Sequence, residues 1–520
     1  MRKFVLAFAA VLAAAPADAA ELRIGRAAEQ SSMDPHFAGT SPNGDTAGEI
    51  FDRLVDSDAQ NQLHPALATS WKAVDPVTWR VVLRDDVKFH DGSAFTAEDV
   101  VFSLARAKAI PNSPAPFVRA SRGVSSVTVV GPHEIEVKTD GPVPRLIEQI
   151  GEVYMLSHIA AAGAGTSDMN AGKGMVGTGP YRFVRAVPGD RVELEGNPGY
   201  WDGKPAWDKV ALRFIKQPAA RVAALLAGDV DLIDQVPPSD AKSLGANAKT
   251  SLFSIAATRL VYLAVDSARP ASPFVTDAAG KKLDRNPLQD ARVRRALSLM
   301  IDRGALAGRL LDGSAEPAGQ MVPQGIGGFD ARLVPPSVDV AAAKTLLAEA
   351  GYPGGFGISL HSSNDRLPQD AAVAQAIGQM LRRGGLAVNA VVTEPYNVYT
   401  PAASRQAYSL FLFSFGTTSA SSADGLTSVL ASWDPAHGMG AFNRARYSNA
   451  GFDKVLVAAL GEFDEGKRNA LLAEATHIAI TDGAIVPLYW QVVHWATRKG
   501  LTYQPRRDEG TSAQYVAVAK

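Results

Sequence analysis

From residue 290 to 481 the chain alternates between two hydrophobic periods, and no other feature constrains its fold as strongly. Apolar residues recur at helical spacing over residues 293–301, 341–350, 371–381 and 467–481, with Gly351 and Gly384 at two of the ends. Between these lie short β-rich runs at 356–360, 387–392 and 409–413. Helices that alternate with strands act as crossovers covering a sheet, so this half predicts an α/β lobe.

The first half has a different texture. Residues 78–83 (TWRVVL) set Trp79, Val81 and Leu83 on one face of a strand, and Asp91-Gly92 marks a turn. Thr96 stands where it would cap a helix through Val100, Val101, Leu104 and Ala105, with Glu98 and Asp99 in the positive first turn. Residues 127–130 and 134–137 read as strands across Gly131-Pro132, and 191–194, 209–215 and 260–265 as further strands. A short helix over 219–226 closes at Gly228, whereas 161–171 reads as loop. At ~100–200 residues per domain, 520 residues accommodate two to four units, and the texture divides them into two unlike α/β lobes.

Composition removes several function classes. The chain has no cysteine, which excludes disulfides, thiolate zinc sites, Fe–S clusters and cysteine nucleophiles together. A net charge of -1 provides no global field for nucleic acid or an anionic membrane. Arg2 and Lys3, the apolar run 4–15, Pro16 and the small residues of Ala17-Asp18-Ala19 form a secretory signal at 1–19. Twelve apolar residues reach only about 18 Å as a helix, short of a ~30 Å hydrocarbon core, so the segment reads as cleaved rather than anchoring. With no cysteine at the cleavage point, lipid attachment is not expected, and the mature chain is expected to be exported without spanning a membrane.

Catalytic motifs do not survive scrutiny. Gly172-Lys173-Gly174-Met175-Val176-Gly177 fits G-x-G-x-x-G, but it follows loop and is stopped by Gly179-Pro180. A pyrophosphate needs that motif on a strand-to-helix turn. Ser239-Asp240-Ala241-Lys242 matches S-x-x-K without its companion motifs. No P-loop occurs, and the nine histidines have no metal-binding spacing. No catalytic constellation survives, and no cofactor or metal is expected.

A long series of segments opens with Leu63-His64-Pro65-Ala66-Leu67-Ala68, Ser70-Trp71 and Val87-Lys88-Phe89-His90-Asp91-Gly92. It continues through Phe95-Thr96-Ala97-Glu98-Asp99-Val100, Gly177-Thr178-Gly179-Pro180-Tyr181 and Asn197-Pro198-Gly199-Tyr200-Trp201. Asp290-Ala291-Arg292-Val293-Arg294-Arg295-Ala296-Leu297, Ile301-Asp302-Arg303 and Tyr447-Ser448-Asn449 complete it. In this order the series resembles the bacterial extracellular solute-binding proteins of family 5, the dipeptide, oligopeptide and nickel receptors of ABC importers. Read from the residues alone, Trp71, Trp79, Phe89, Phe95 and Phe102 are core, and Gly92 and Gly177 are turn positions needing permissive dihedrals. Arg292, Arg294 and Asp302 are interlobe or helix-surface charges.

The resemblance implies a two-lobed periplasmic-binding-protein fold (type II, cluster C) with an extra subdomain in lobe one. Lobe one would comprise 20–270, with the subdomain at about 60–170, completed by 485–520; lobe two would be 271–484. It also implies a monomeric receptor that encloses a small-molecule or oligopeptide ligand and docks on an inner-membrane permease with its ATPase subunits. In the peptide receptors an aspartate after a strand meets the ligand ammonium. Here Phe415 stands where a tryptophan is expected and Thr418 where that aspartate falls, with Thr417 beside it and Asp424 as a possible replacement. A buried ammonium without a carboxylate costs several kcal/mol, so free-amine peptides compete with an opine, a glycoside or a metal chelate as the ligand class. A secreted peptide hydrolase would need a nucleophile–base pair or metal site that the motifs do not supply. Further cleft candidates implied by the family are Glu29, Gln30, Ser31, Arg259, Tyr262, Asn397, Tyr399 and Tyr489-Trp490. Arg259 has three options: a ligand carboxylate, Asp266, or solvent.

Overall fold

The structure, a computed structural model, describes residues 20–417 and 419–519; the predicted export signal, Thr418 and Lys520 lie outside the described residues. Two long antiparallel strands, Thr250–Val265 and Ile485–Arg498, join the two halves. At one end they pair Thr250 with Arg498 through Ala256 with Val492, beside Leu232–Ile233 and Glu21–Arg26. The register then breaks between Ala256 and Leu260. Beyond the break, Leu260–Val265 pair with the strand Leu410–Phe415 of the other half. Each strand therefore serves both lobes. The change of partner falls before residue 270 and after residue 485, a correction to the expected boundaries that arises because an extended strand need not end where a lobe does.

Lobe one continues the sheet through Lys209–Phe214, Arg191–Gly196 and Tyr181–Val187. Helix Pro218–Ala227 ends at Gly228, whose φ of +81° is the left-handed stop that glycine adopts without steric cost. Lobe two carries the parallel strands Gly357–Ser363 and Ala387–Glu394 between helices Val340–Glu349 and Asp370–Arg383. Every residue of Gly357–Ser363 is buried, as expected of a parallel strand covered on both faces.

The subdomain is a four-stranded antiparallel sheet in which Thr78–Leu83 lies between Ala68–Asp75 and Glu134–Thr139, with Val124–Gly131 at the edge. Trp79, Val81 and Leu83 face its core with Ile135 and Val137, and Phe89 and Phe95 close it. Trp71 and Phe102 are only half-buried. Helix Ala97–Ala109 begins as the sequence predicts: Thr96 donates through N and Oγ1 to Asp99 Oδ2 at 2.8 and 3.2 Å.

Four local expectations are corrected. The stretch read as loop contains a one-turn helix, Thr166–Asn170, before the G-x-G-x-x-G glycines. Gly92 has the expected positive φ of +91°, but Gly177 does not; a Cβ there would lie 1.9 Å from the Ile50 carbonyl oxygen, so close backbone approach is what requires glycine. Arg294 is buried rather than on the surface, holding the carbonyls of Leu288, Gln289, Asp482 and Gly483. Asp302 caps a helical turn by accepting from Ala305 N at 2.8 Å. No helix among the described residues is long and apolar enough to cross a membrane.

Candidate binding cleft

A cavity of about 520 Å³ lies where the two lobes and the subdomain converge. Helix Ser41–Ala47 and residues 506–515 supply its lobe-one wall. Trp71, Trp79 and Arg145 come from the subdomain, and Ser419–Ser421, Arg468 and Asn469 from lobe two. Lobe two is held against the rest by side chains: Trp79 stacks on Phe463 with centroids 6.0 Å apart, Gln62 donates to the Gly325 carbonyl at 3.0 Å, and Arg507 donates to that of Gln324 at 2.8 Å. These contacts connect lobe two to lobe one and the subdomain across the cleft.

Charge in the wall is mostly neutralised in place. Arg506 binds Asp508 through Nε and Nη2, the nearer contact at 2.7 Å, and also donates to Tyr515 Oη and the Ser57 carbonyl. Arg26, buried beneath the wall, pairs with Asp45 and, at 3.0 Å, with Asp234. Burial pushes the Asp45 carboxyl up to about 7 against the pull of Arg26, and burial does the same to Glu49, which accepts from Ala513 N at 2.8 Å. Arg145 donates to Glu148 and, across the cleft, to Asp424 Oδ1 at 3.1 Å. Among the described residues no cluster of His, Asp and Glu is arranged to hold a metal ion.

None of the described cleft candidates singled out from sequence belongs to the lining of this cavity. Glu29 accepts from Gly189 N, Gln30 contacts Met33 and Thr46, and Ser31 donates to Asn43, so all three are tied within lobe one. Arg259 pairs with Glu509 at 2.7 Å and not with Asp266, which Arg269 holds at 2.7 Å. The chain turns at the register break and brings residues 507–509 against it. Tyr262, Tyr399 and Trp490 are buried in the core of lobe two. Tyr399 Oη donates to the Leu412 carbonyl at 2.5 Å, and its ring stacks on Tyr408 and Phe413, so it belongs to the core rather than to a ligand. Tyr489 is buried on the other face of that sheet, and Asn397 is exposed on helix Tyr396–Ser404.

The 415–424 loop does reach the cleft. Phe415 is half-buried, 6.1 Å from Phe442, and Thr417 and Ser419 donate to Asp424 Oδ2 at 3.2 and 2.6 Å. Thr418 lies outside the described residues, so its place is not assigned. The residues that sequence reasoning missed are Arg53, Arg145, Asp45 and the Arg506/Asp508 pair. Only the closely spaced charges of Arg506-Arg507-Asp508-Glu509 offered a signal.

Comparison with known proteins agrees with this architecture. The family model "Bacterial extracellular solute-binding proteins, family 5 Middle" matches residues 62–436. A glutathione-binding protein of Pectobacterium atrosepticum is 28% identical over 91% of this chain and 89% of its own. The periplasmic murein peptide-binding protein of Escherichia coli is 24% identical over 89% of this chain and 86% of its own. Among solved structures, HbpA2 of Haemophilus parasuis superposes with a TM-score of 0.81 at 20% identity, covering 96% of this chain and 100% of its own. The ABC transporter-associated periplasmic binding protein DppA of Helicobacter pylori, in complex with the peptide STSA, gives 0.73 at 23%, covering 96% and 98%. These likenesses establish the two-lobed periplasmic-binding-protein fold. With well over half of its length matched by the family model, the chain belongs to the bacterial extracellular solute-binding proteins of family 5.

Proposed function

We propose that this chain is the substrate-binding receptor of an ABC importer, enclosing a peptide-like solute between its lobes and presenting the closed form to an inner-membrane permease driven by ATPase subunits. The observation that carries this reading is the cavity itself. Its wall is drawn from lobe one, the subdomain and lobe two, so it exists only when the lobes meet, while two continuous strands leave the lobes joined as they part. A ligand touching all three walls binds the closed form better than the open one, which is the condition for driving closure. About 520 Å³ suits a solute of a few residues. The receptor works by binding rather than by turnover, as a monomer, in the periplasm after removal of 1–19 and without a lipid anchor.

One observation favours a ligand without a free α-amine at the 415–424 loop, such as an N-blocked peptide or an opine. Asp424, the candidate ammonium acceptor, is engaged by Arg145.

Native mass spectrometry of the gently purified mature protein, with denaturing release of its cargo, tests the assignment. Adducts at peptide masses support the peptide reading, and a single non-peptide mass supports the second. Protein that captures no peptide or opine from a broad panel, and whose small-angle scattering never changes, would sink the receptor reading.

A further inference from the structure

Four arginines line the cavity, and they differ in how fully their donors are used. An arginine has five N–H donors, and a buried one normally spends them. Arg506 spends its own on Asp508, Tyr515 and the Ser57 carbonyl, and Arg145 on Glu148 and Asp424. Arg468 is buried and directs Nη1 to the carbonyls of Glu462 and Phe463. Arg53 is different. Its one hydrogen bond runs from Nη2 to Asp56 Oδ1 at 3.3 Å, a partner whose side chain is 48% exposed, and its own side chain stays 34% accessible. The Nε hydrogen, both Nη1 hydrogens and one Nη2 hydrogen are uncommitted among the described residues.

The guanidinium is nevertheless held in place. Arg53 and Tyr154 are partners in an antiparallel β-bridge, with Met155 N donating to the Asp52 carbonyl beside it at 2.8 Å. The Arg53 Cζ lies 4.9 Å from the centre of the Tyr154 ring, and Tyr154 Oη is fixed on the Gly44 carbonyl at 2.7 Å. Stacking on an aromatic face occupies the plane of a guanidinium and leaves its edge for in-plane hydrogen bonds, the geometry that accepts a carboxylate bidentately.

We propose that Arg53, stacked on Tyr154 at the lobe-one wall, is the anchor for a carboxylate of the ligand, so that the solute class is carboxylate-bearing. This rests on the receptor reading above. Because both residues belong to the lobe-one side, the carboxylate docks before closure, and contacts with Arg468 and Ser419–Ser421 complete the enclosure.

The test uses a tripeptide library as free acids and the same library as C-terminal amides, with binding by wild-type protein, R53Q and R53K read by competition native mass spectrometry. The wild type should favour acids over amides by at least tenfold, in line with a charge-assisted hydrogen bond. R53Q should lose that preference while binding amides within about twofold of wild type, and R53K, with charge but no fork, should fall between. Retention of amide binding by R53Q also establishes that it folds; if it does not, the R53K preference ratio decides. Wild-type binding of acids and amides alike, or a variant that keeps the full preference, overturns the anchor and leaves the receptor reading intact. Capture of neither library overturns the peptide-like reading, and the anchor with it.

Discussion

Arg145 and Asp424 meet across the cleft, the guanidinium Nη1 donating to Oδ1 at 3.1 Å. One side chain belongs to the subdomain and the other to the loop after a lobe-two strand. Both are less than one-fifth exposed, so the pair is better shielded than a surface ion pair. It holds lobe two against the subdomain without any ligand. Arg145→Met should remove this ion pair and shift the ligand-free protein toward a more open form, on the order of tenfold in population for a charged hydrogen bond. Small-angle scattering of the ligand-free variant reads this directly as a larger radius of gyration; an unchanged profile would show that the pair does not contribute to closure.

Tyr399 separates core from cleft. Removing its hydroxyl leaves the buried Leu412 carbonyl short of a donor, so Tyr399→Phe should lower the unfolding free energy by about 1–2 kcal/mol. Ligand capture should not change, because the ring lies inside lobe two. A loss of binding without a loss of stability in urea melts would place Tyr399 back at the ligand.

Gly177→Ala sets a Cβ 1.9 Å from the Ile50 oxygen, where Gly179 N also donates to that carbonyl at 2.9 Å. The backbone must separate, and the cost should be about 2–4 kcal/mol. Gly92→Ala meets open space but keeps a φ of +91°, so it should cost about 1–2 kcal/mol. Equal destabilisation of the two variants in urea would contradict the distinction between close approach and dihedral strain.

His36 provides a pH handle. It is buried, with Nε2 2.7 Å from the Tyr154 carbonyl and Nδ1 3.2 Å from Arg106 Nη1, so the neutral ring donates at one nitrogen and accepts at the other. Burial, with Arg106 adding to it, lowers its pKa to about 4. A depressed folded-state value means that the contribution is fully present above the unfolded value of about 6.5 and is lost as pH falls through about 4. Between those limits His36→Gln should remove about 2–3 kcal/mol of the acid-linked loss of stability seen in the wild type. Urea melts at pH 7.0, 5.5 and 4.5 measure it, and parallel curves for the two proteins would rule the linkage out.

Much of the fold was legible in the chain because its causes are local. Thr96 and Asp99 cap a helix three residues apart, Gly228 ends one, and Trp79, Val81 and Leu83 share a face through the two-residue period of a strand. The alternation after residue 290 announced covered strands, and Gly357–Ser363 is one. The site was far less legible. Arg53, Arg145, Ser419 and Arg506 line one cavity although they lie far apart along the chain, and no period or spacing links them. Tyr262, on a strand, and Tyr399, on helix Tyr396–Ser404, have the composition of cleft residues but point to the core, since a shift of one residue along either element turns a side chain to another face.

The sequence by itself determined the two lobes, their family and the absence of cysteine chemistry, because these follow from short-range patterning and composition. Only the tertiary structure decided which charges remain available to a ligand. Asp424 is spent on Arg145, Arg259 on Glu509, and Arg53 keeps most of its donors, because each outcome depends on which distant segments the fold sets beside each group.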